Sequence, residues 1–251
     1  MPVAIVTGAS RGLGRALVRT LAADGWAVVL DARGAAELTE VAGALDPTTT
    51  RALPGDVTDA AHREDLVAAA WELGSLDLLV NNASLLGPSP QPRLADYVTA
   101  DLARVYDVDL LAPHALIREA LPLLRRSGGA VVNLSSDAAV EAYDGWGGYG
   151  SAKAALDHLS AVLGAEEPAL SIYAFDPGDM RTAMQQAAFP GEDISDRPAP
   201  EEVAVPALLA LLRDRPPSGR YRASDRQPPE ERTERSPDGP AHRLAADGAA
   251  R

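Results

Sequence analysis

The chain has 251 residues, a formal net charge of −13 and no cysteine. That length suits one large α/β domain or two small ones; the missing cysteines exclude disulfides and thiolate chemistry, and the acidic balance argues against nucleic acid or an anionic membrane as main partner while leaving room for a small anionic cofactor in a local pocket. The four histidines lack metal-ligand spacing, no apolar run approaches the roughly 20 residues that span a bilayer, and the chain enters Val3–Val6 without a charged leader, so no metal and a cytoplasmic location are expected.

Val3 to Val6 is wholly apolar, as suits a strand buried on both faces of a parallel sheet. It runs into Thr7-Gly8-Ala9-Ser10-Arg11-Gly12-Leu13-Gly14 and then a helical pattern to Ala23, with Leu13, Leu17 and Leu21 on one face. Strand, glycine-rich turn and helix together aim backbone N–H groups and a helix N-terminus at a pyrophosphate. Trp26 to Leu30 reads as a second strand ending in Asp31-Ala32-Arg33. At this strand end an acid takes the ribose 2′-OH of NAD, whereas a nearby arginine favours the 2′-phosphate of NADP. Counting from the glycine turn puts the selecting position on Ala32 with Arg33 next, and strand alternation points Asp31 the other way. Arg11 is a second candidate for the phosphate. The expected cofactor is NADP(H), with NAD(H) as the alternative.

Ala35 to Leu45 looks helical and stops at Asp46-Pro47. Arg51 to Leu53 is a weak third strand, and Gly55-Asp56-Val57 leads into a helix to about Leu73. Leu76 to Val80 is a fourth strand ending in Asn81-Asn82-Ala83-Ser84, which holds two of the chain's three asparagines. Gly87 to Arg93 is a proline-rich loop. Leu94 to Arg126 contains one or two helices, broken at Gly128-Gly129. Ala130 to Leu134 is a fifth strand that delivers Ser135-Ser136. A helix from Gly150 to Leu163 carries Lys153, the only lysine among many arginines, and Tyr149 four residues earlier shares its face. A chain that keeps one lysine against that bias needs an ammonium there rather than a guanidinium fork. Leu170 to Ala174 is a sixth strand ending at Asp176-Pro177-Gly178; Met180 to Phe189 and Glu201 to Arg213 are helical, and Ser218 to Arg222 is a short last strand.

Strands alternating with helices predict an α/β fold: a doubly wound parallel sheet with helices on both faces, in a single domain over residues 1–225. Residues 226–251, rich in Pro, Arg and Glu, are expected to be disordered. Ligands in such sheets bind at the carboxyl ends of the strands, where Gly8 to Gly14, Arg33, Asp56, Asn81, Ser136 and Pro177 fall.

These residues resemble the short-chain dehydrogenases/reductases over roughly residues 3 to 225. The pieces are Thr7-Gly8-x-x-x-Gly12-x-Gly14, Asp56, Asn81-Asn82-Ala83, Ser136, Tyr149-x-x-x-Lys153 and Pro177-Gly178 with Thr182, in the family's order. Within the family, Gly145 to Tyr149, Glu166-Glu167-Pro168 and Thr182 to Gln186 look most like the sepiapterin reductase and diketone (benzil-type) reductase group. The resemblance implies a Rossmann-type sheet of about seven strands and hydride transfer from a nicotinamide to a ketone or diketone carbonyl, or the reverse alcohol oxidation. It implies that Tyr149 donates the proton, that Lys153 lowers its pKa and holds the nicotinamide ribose, and that Ser136 binds the substrate oxygen. By the same resemblance Gly8, Ser10, Arg11, Gly12, Leu13 and Gly14 cradle the cofactor. Asp56 would hydrogen-bond the adenine, Asn82 would line the cleft and Thr182 would contact the carboxamide, with Val57, Ala83, Pro177 and Gly178 as further cofactor-binding residues. Trp146, Tyr143, Leu85 and Met184 are expected to shape the substrate pocket, and the resemblance implies homodimers or homotetramers.

Two residues depart from the family pattern. Ser84 stands where a glycine is usual, read as a local backbone adjustment. Asp109 stands where a catalytic asparagine holds a water of the proton relay; its charge would alter the lysine's titration. Asp109 favours an alternative reading, an NADP-binding sensor or scaffold with little turnover.

Overall fold

The computed structural model describes residues 1–226. Seven strands form one parallel sheet in the order β3-β2-β1-β4-β5-β6-β7. They are β1 Val3–Val6, β2 Ala27–Ala32, β3 Thr50–Pro54, β4 Leu78–Asn81, β5 Ala130–Leu134, β6 Ser171–Asp176 and β7 Gly219–Arg222. Eight α-helices accompany them among the described residues: α1 Gly12–Ala23, α2 Ala35–Gly43, α3 Ala60–Glu72, α4 Thr99–Tyr106, α5 Ala112–Ser127, α6 Gly147–Glu166, α7 Ala183–Ala188 and α8 Ala204–Asp214.

Side-chain alternation along the buried strands divides the core into two layers. Ala4 and Val6 of β1 face Leu17 and Leu21 of α1, Leu38 of α2 and Leu208 of α8. Val3 and Ile5 face the other way, against Leu66 of α3 and Leu116 and Ile117 of α5. Each fully covered leucine contributes about 1.5–3 kcal/mol of transfer free energy, so the sheet's position is fixed from both sides. Strand order reverses between β1 and β4, and that switch point opens a crevice at the strands' carboxyl ends.

Several element ends differ from the sequence expectation for identifiable reasons. Helix α6 begins at Gly147 rather than Gly150, because Gly148 packs flush on the Tyr97 ring, where a Cβ would lie 2.5 Å from it. The stretch Leu94–Arg126 is not plain helix. After a short 3₁₀ turn, α4 and α5 are joined by a π-helical segment, Asp107–Leu111, the kind of wide turn found mostly at functional sites. Helix α7 is shorter than expected, because the Thr182 hydroxyl accepts the Gln185 N–H (3.3 Å) and sets its start. The expected disordered tail lies outside the described residues except for Arg226. That residue ends a 3₁₀ turn, Ala223–Arg226, with its guanidinium 4.9 Å from the Tyr221 ring centre. Among the described residues, no helix is long and apolar enough to cross a membrane.

Candidate active site

The carboxyl ends of β1, β2, β4, β5 and β6 surround a cleft of about 370 Å³. Its floor is the glycine turn after β1. Gly8 (φ 66°) and Gly12 (φ 53°) occupy the left-handed region that only glycine enters without strain. Thr7 and Asn82 clamp this turn to the end of β4. The Thr7 hydroxyl accepts from Asn82 N–H (3.0 Å) and Ala83 N–H (2.9 Å), and the Asn82 amide donates to Thr7 O (2.7 Å) and Gly8 O (3.1 Å). Asn82 therefore holds the turn as well as lining the cleft. Gly14, expected at the cofactor surface, is instead buried behind the turn and does not line the cleft. A Cβ there would sit 2.4 Å from Gly8 O, so its role is to let turn and helix close up.

One end of the cleft is walled by Gly8, Ser10, Arg11, Gly12 and Leu13 of the turn, Arg33 and Gly34 after β2, and Gly55, Asp56 and Val57 after β3. Arg33 and Arg11 are exposed, leaving their guanidinium groups available to an anion. Asp56 already has partners. One carboxylate oxygen accepts from Thr58 N–H (3.0 Å) and Thr58 Oγ1 (2.8 Å), the other from the Arg104 guanidinium of α4. Burial works to raise its pKa, but these bonds outweigh it and hold the carboxyl below its ordinary value.

The other end of the cleft carries Ser136, Tyr149, Lys153, Pro177, Gly178 and Thr182, together with Trp146, Leu85, Leu86 and Met184. β5 delivers Ser136, and the first turns of α6 deliver Tyr149 and Lys153. Lys153 is 2% exposed; its Nζ donates to Leu134 O (2.9 Å) and lies 3.2 Å from Asp109 Oδ1 and 5.4 Å from the centre of the Tyr149 ring. Asp109, fully buried on the π-helical segment, also accepts a short hydrogen bond from the Ser84 hydroxyl and lies 3.2 Å from the Leu85 N–H. Three donors converging on one carboxyl suit its ionised form. Ser84 is therefore more than a backbone adjustment: the two departures from the family pattern are bonded to each other.

Burial sets the electrostatics of this end. It lifts the Asp109 carboxyl above its ordinary value against the pull of Lys153. Burial also works to lower Lys153, but Tyr149 and Asp109 together hold that ammonium above its ordinary value. Burial keeps the Tyr149 phenol above its ordinary value: Lys153 pulls it down as expected, but burial, with Asp109 behind it, outweighs that pull. Asp109 itself does not line the cleft and acts through Lys153 and Ser84. Tyr143, expected in the substrate pocket, stands outside it. It is exposed on the rim, where its hydroxyl donates to Asp137 (3.1 Å) and Glu141 (2.9 Å). Trp146 lines the pocket instead, edge-on to Tyr149 at 6.0 Å and tilted against Phe189 at 5.9 Å.

The family model for short chain dehydrogenase matches residues 2–193. The chain belongs to this family. Among curated relatives, benzil reductase ((S)-benzoin forming) of Saccharomyces cerevisiae is 34% identical over 218 residues, covering 82% of this chain and 80% of its own. Mouse sepiapterin reductase is 35% identical over 201 residues, covering 74% of this chain and 77% of its own. A short-chain dehydrogenase from Escherichia coli CFT073, solved with NADPH, superposes with TM-score 0.81 at 29% identity, covering 90% of this chain and 97% of that one. An alcohol dehydrogenase from Thermococcus sibiricus, solved with 5-hydroxy-NADP, gives TM-score 0.79 at 28% identity, covering 88% and 95%.

For this short-chain dehydrogenase, sequence reasoning also missed Arg220. From β7 its guanidinium donates to Ser136 O, Asp176 Oδ2 and Asp157 Oδ2, each at 2.9 Å. It therefore fixes the ends of β5 and β6 where Ser136 and Pro177 leave the sheet. Nothing near it in the sequence marks it, because its acidic partners lie 44 and 63 residues away.

Proposed function

We propose that this short-chain dehydrogenase is an NADPH-dependent reductase of ketone or diketone carbonyls, with Ser136, Tyr149 and Lys153 as its reacting groups. The observation that carries this reading is the placement of Tyr149 and a buried Lys153, one helical turn apart, lining the same cleft as Ser136 and the glycine turn. Exposed Arg33 and Arg11 at the far end support NADPH over NADH, as do the relatives solved with NADPH and 5-hydroxy-NADP. The apolar wall of Trp146, Leu85 and Leu86, together with the benzil reductase relative, supports a diketone substrate.

When bound, NADPH supplies the hydride that reaches the carbonyl carbon. Tyr149 gives its phenolic proton to the carbonyl oxygen as that oxygen gains charge, and the Ser136 hydroxyl donates a second hydrogen bond to it. In the free site the Ser136 hydroxyl donates to Asp137 Oδ1 (2.9 Å), so the substrate oxygen must compete for that proton. Of the three ammonium protons of Lys153, one goes to Leu134 O and one to Asp109, which leaves one that would serve the cofactor's ribose. Asp109, fixed by Ser84 and the Leu85 N–H, holds Lys153 charged.

Purified protein, NADPH and a panel of ketones and vicinal diketones, followed at the absorbance band of the reduced nicotinamide, test the reading. Turnover on at least one diketone, faster with NADPH than with NADH, is the expected result. Tight NADPH binding with no oxidation on any carbonyl would replace it with the sensor reading. Arg33→Ala removes hydrogen bonds to a charged phosphate, each contributing about 1.5–3 kcal/mol. NADPH affinity should therefore fall on the order of 10- to 100-fold while NADH binding stays nearly unchanged, as fluorescence titration would report; equal losses would remove Arg33 from the phosphate.

Asp109→Asn tests the pairing with Lys153. Burial, helped by Asp109, keeps Tyr149 above its ordinary pKa, and reduction requires the protonated phenol, so activity is lost as pH rises through that pKa. Removing the charge should move the alkaline limb of the kcat profile to lower pH. A limb that stays in place, or moves to higher pH, would show that Asp109 has no hold on the proton donor.

A further inference from the structure

The adenosine end of the cleft contains a buried pair that the proposed reaction does not use. Asp31, at the end of β2, is 1% exposed, and its Oδ1 lies 2.7 Å from Nε2 of His62 on α3. Its backbone carbonyl accepts the Ala9 N–H of the glycine turn (2.7 Å), and Asp31 lines the cleft beside Ala32 and Arg33. The His62 ring fills the space over Gly55, where a Cβ would lie 2.3 Å from Nδ1, so the cleft wall is shaped to seat it.

The selecting position is Ala32, and the Asp31 carboxyl beside it turns away to His62; an uncompensated carboxylate this close would still repel a 2′-phosphate. Here the carboxylate is present yet the arginine follows two residues later. We propose that His62 is a specificity-determining residue: by neutralising Asp31 from behind, it lets the adenosine end of the cleft accept a dinucleotide carrying a 2′-phosphate. This rests on the NADPH reading above. His62 touches no ligand and acts through Asp31, as a positioning and charge-cancelling group.

The surrounding charges favour a proton on the pair. Asp59 and Asp65 of the α3 region face His62, and Asp56 of the β3–α3 loop faces Asp31; Arg104 of α4 is committed to Asp56, while Arg33 and Glu37 stand at the cleft. The hydrogen bond to Asp31 raises His62 above its ordinary value against the pull of burial, and burial raises Asp31. Whichever atom holds the proton, the pair is neutral while it is held and carries one negative charge once it is lost. The sign follows: preference for the 2′-phosphate is present at low pH and declines as pH rises through the raised His62 pKa.

The test is the ratio of NADPH to NADH affinity, by fluorescence titration between about pH 6 and pH 9, in four proteins: wild type, His62→Gln, Asp31→Asn and the double variant. The phosphate's own second ionisation, near pH 6, affects all four alike, so the double variant is the baseline. The wild-type ratio should fall with pH more steeply than the baseline. His62→Gln should lower it on the order of tenfold below the raised His62 pKa and make little difference above it, and adding Asp31→Asn should restore it, which a merely structural role for His62 would not permit. A wild-type slope equal to the baseline, or a His62→Gln loss that Asp31→Asn does not rescue, would overturn the proposal. NADH outbinding NADPH in the wild type at every pH would instead overturn the coenzyme reading on which it rests.

Discussion

Tyr149→Phe should lower kcat for carbonyl reduction by about 10²–10⁴-fold, the range general acid–base catalysis contributes, while NADPH affinity changes little. The ring is buried against Trp146 and beside Lys153, and phenylalanine keeps that packing while deleting only the hydroxyl. The substrate oxygen then gains charge with one hydrogen bond, from Ser136, and no proton source of matched pKa. Steady-state kinetics alongside cofactor titration separates the two effects. Parallel loss of kcat and of NADPH binding would mean that Tyr149 holds the site's shape rather than its proton.

Lys153→Arg should be nearly as damaging, with kcat reduced at least about 100-fold and a lowered melting temperature. The ammonium fits a space bounded by Leu134 O and Asp109 and is almost wholly buried. A guanidinium is larger, planar and fixed in its donor directions. Forcing it into this space costs about 1–3 kcal/mol of overpacking and re-aims the charge away from Tyr149. Lys153→Met should unfold the protein more readily still, since stranding Asp109 as an unpaired buried charge costs about 3–5 kcal/mol. Differential scanning calorimetry and initial rates on both variants check this. Wild-type rates in Lys153→Arg would remove the reason for a lone lysine in an arginine-rich chain.

The parts of the fold legible in the sequence are those fixed by local chemistry. β5 is bounded as expected because Gly128-Gly129 ends one helix before it and Ser135-Ser136 follows it. The glycine turn and the Tyr149–Lys153 spacing are likewise local patterns, and both open onto the cleft. What escaped depends on partners distant in sequence. Asp31 extends β2 past Leu30 because His62, 31 residues on, bonds its carboxyl within the core. Ser84 and Asp109 each looked like an isolated departure; their hydrogen bond across 25 residues makes them one feature. Arg220 fixes Ser136 from the last strand, and nothing near either residue signals it. The Tyr149 titration was misjudged for a related reason. Spacing reveals the lysine one turn away, but not the depth of burial or the carboxylate behind that lysine.

The most direct test of the account follows an atom rather than a rate. NADPH carrying two deuteriums at nicotinamide C4 is incubated with the protein and a vicinal diketone, and the alcohol is isolated and examined by NMR. One deuterium is expected on the new carbinol carbon and none on the hydroxyl, whose proton comes through Tyr149 from solvent. An alcohol formed without deuterium at that carbon, or NADPH consumed with no alcohol produced, would contradict it.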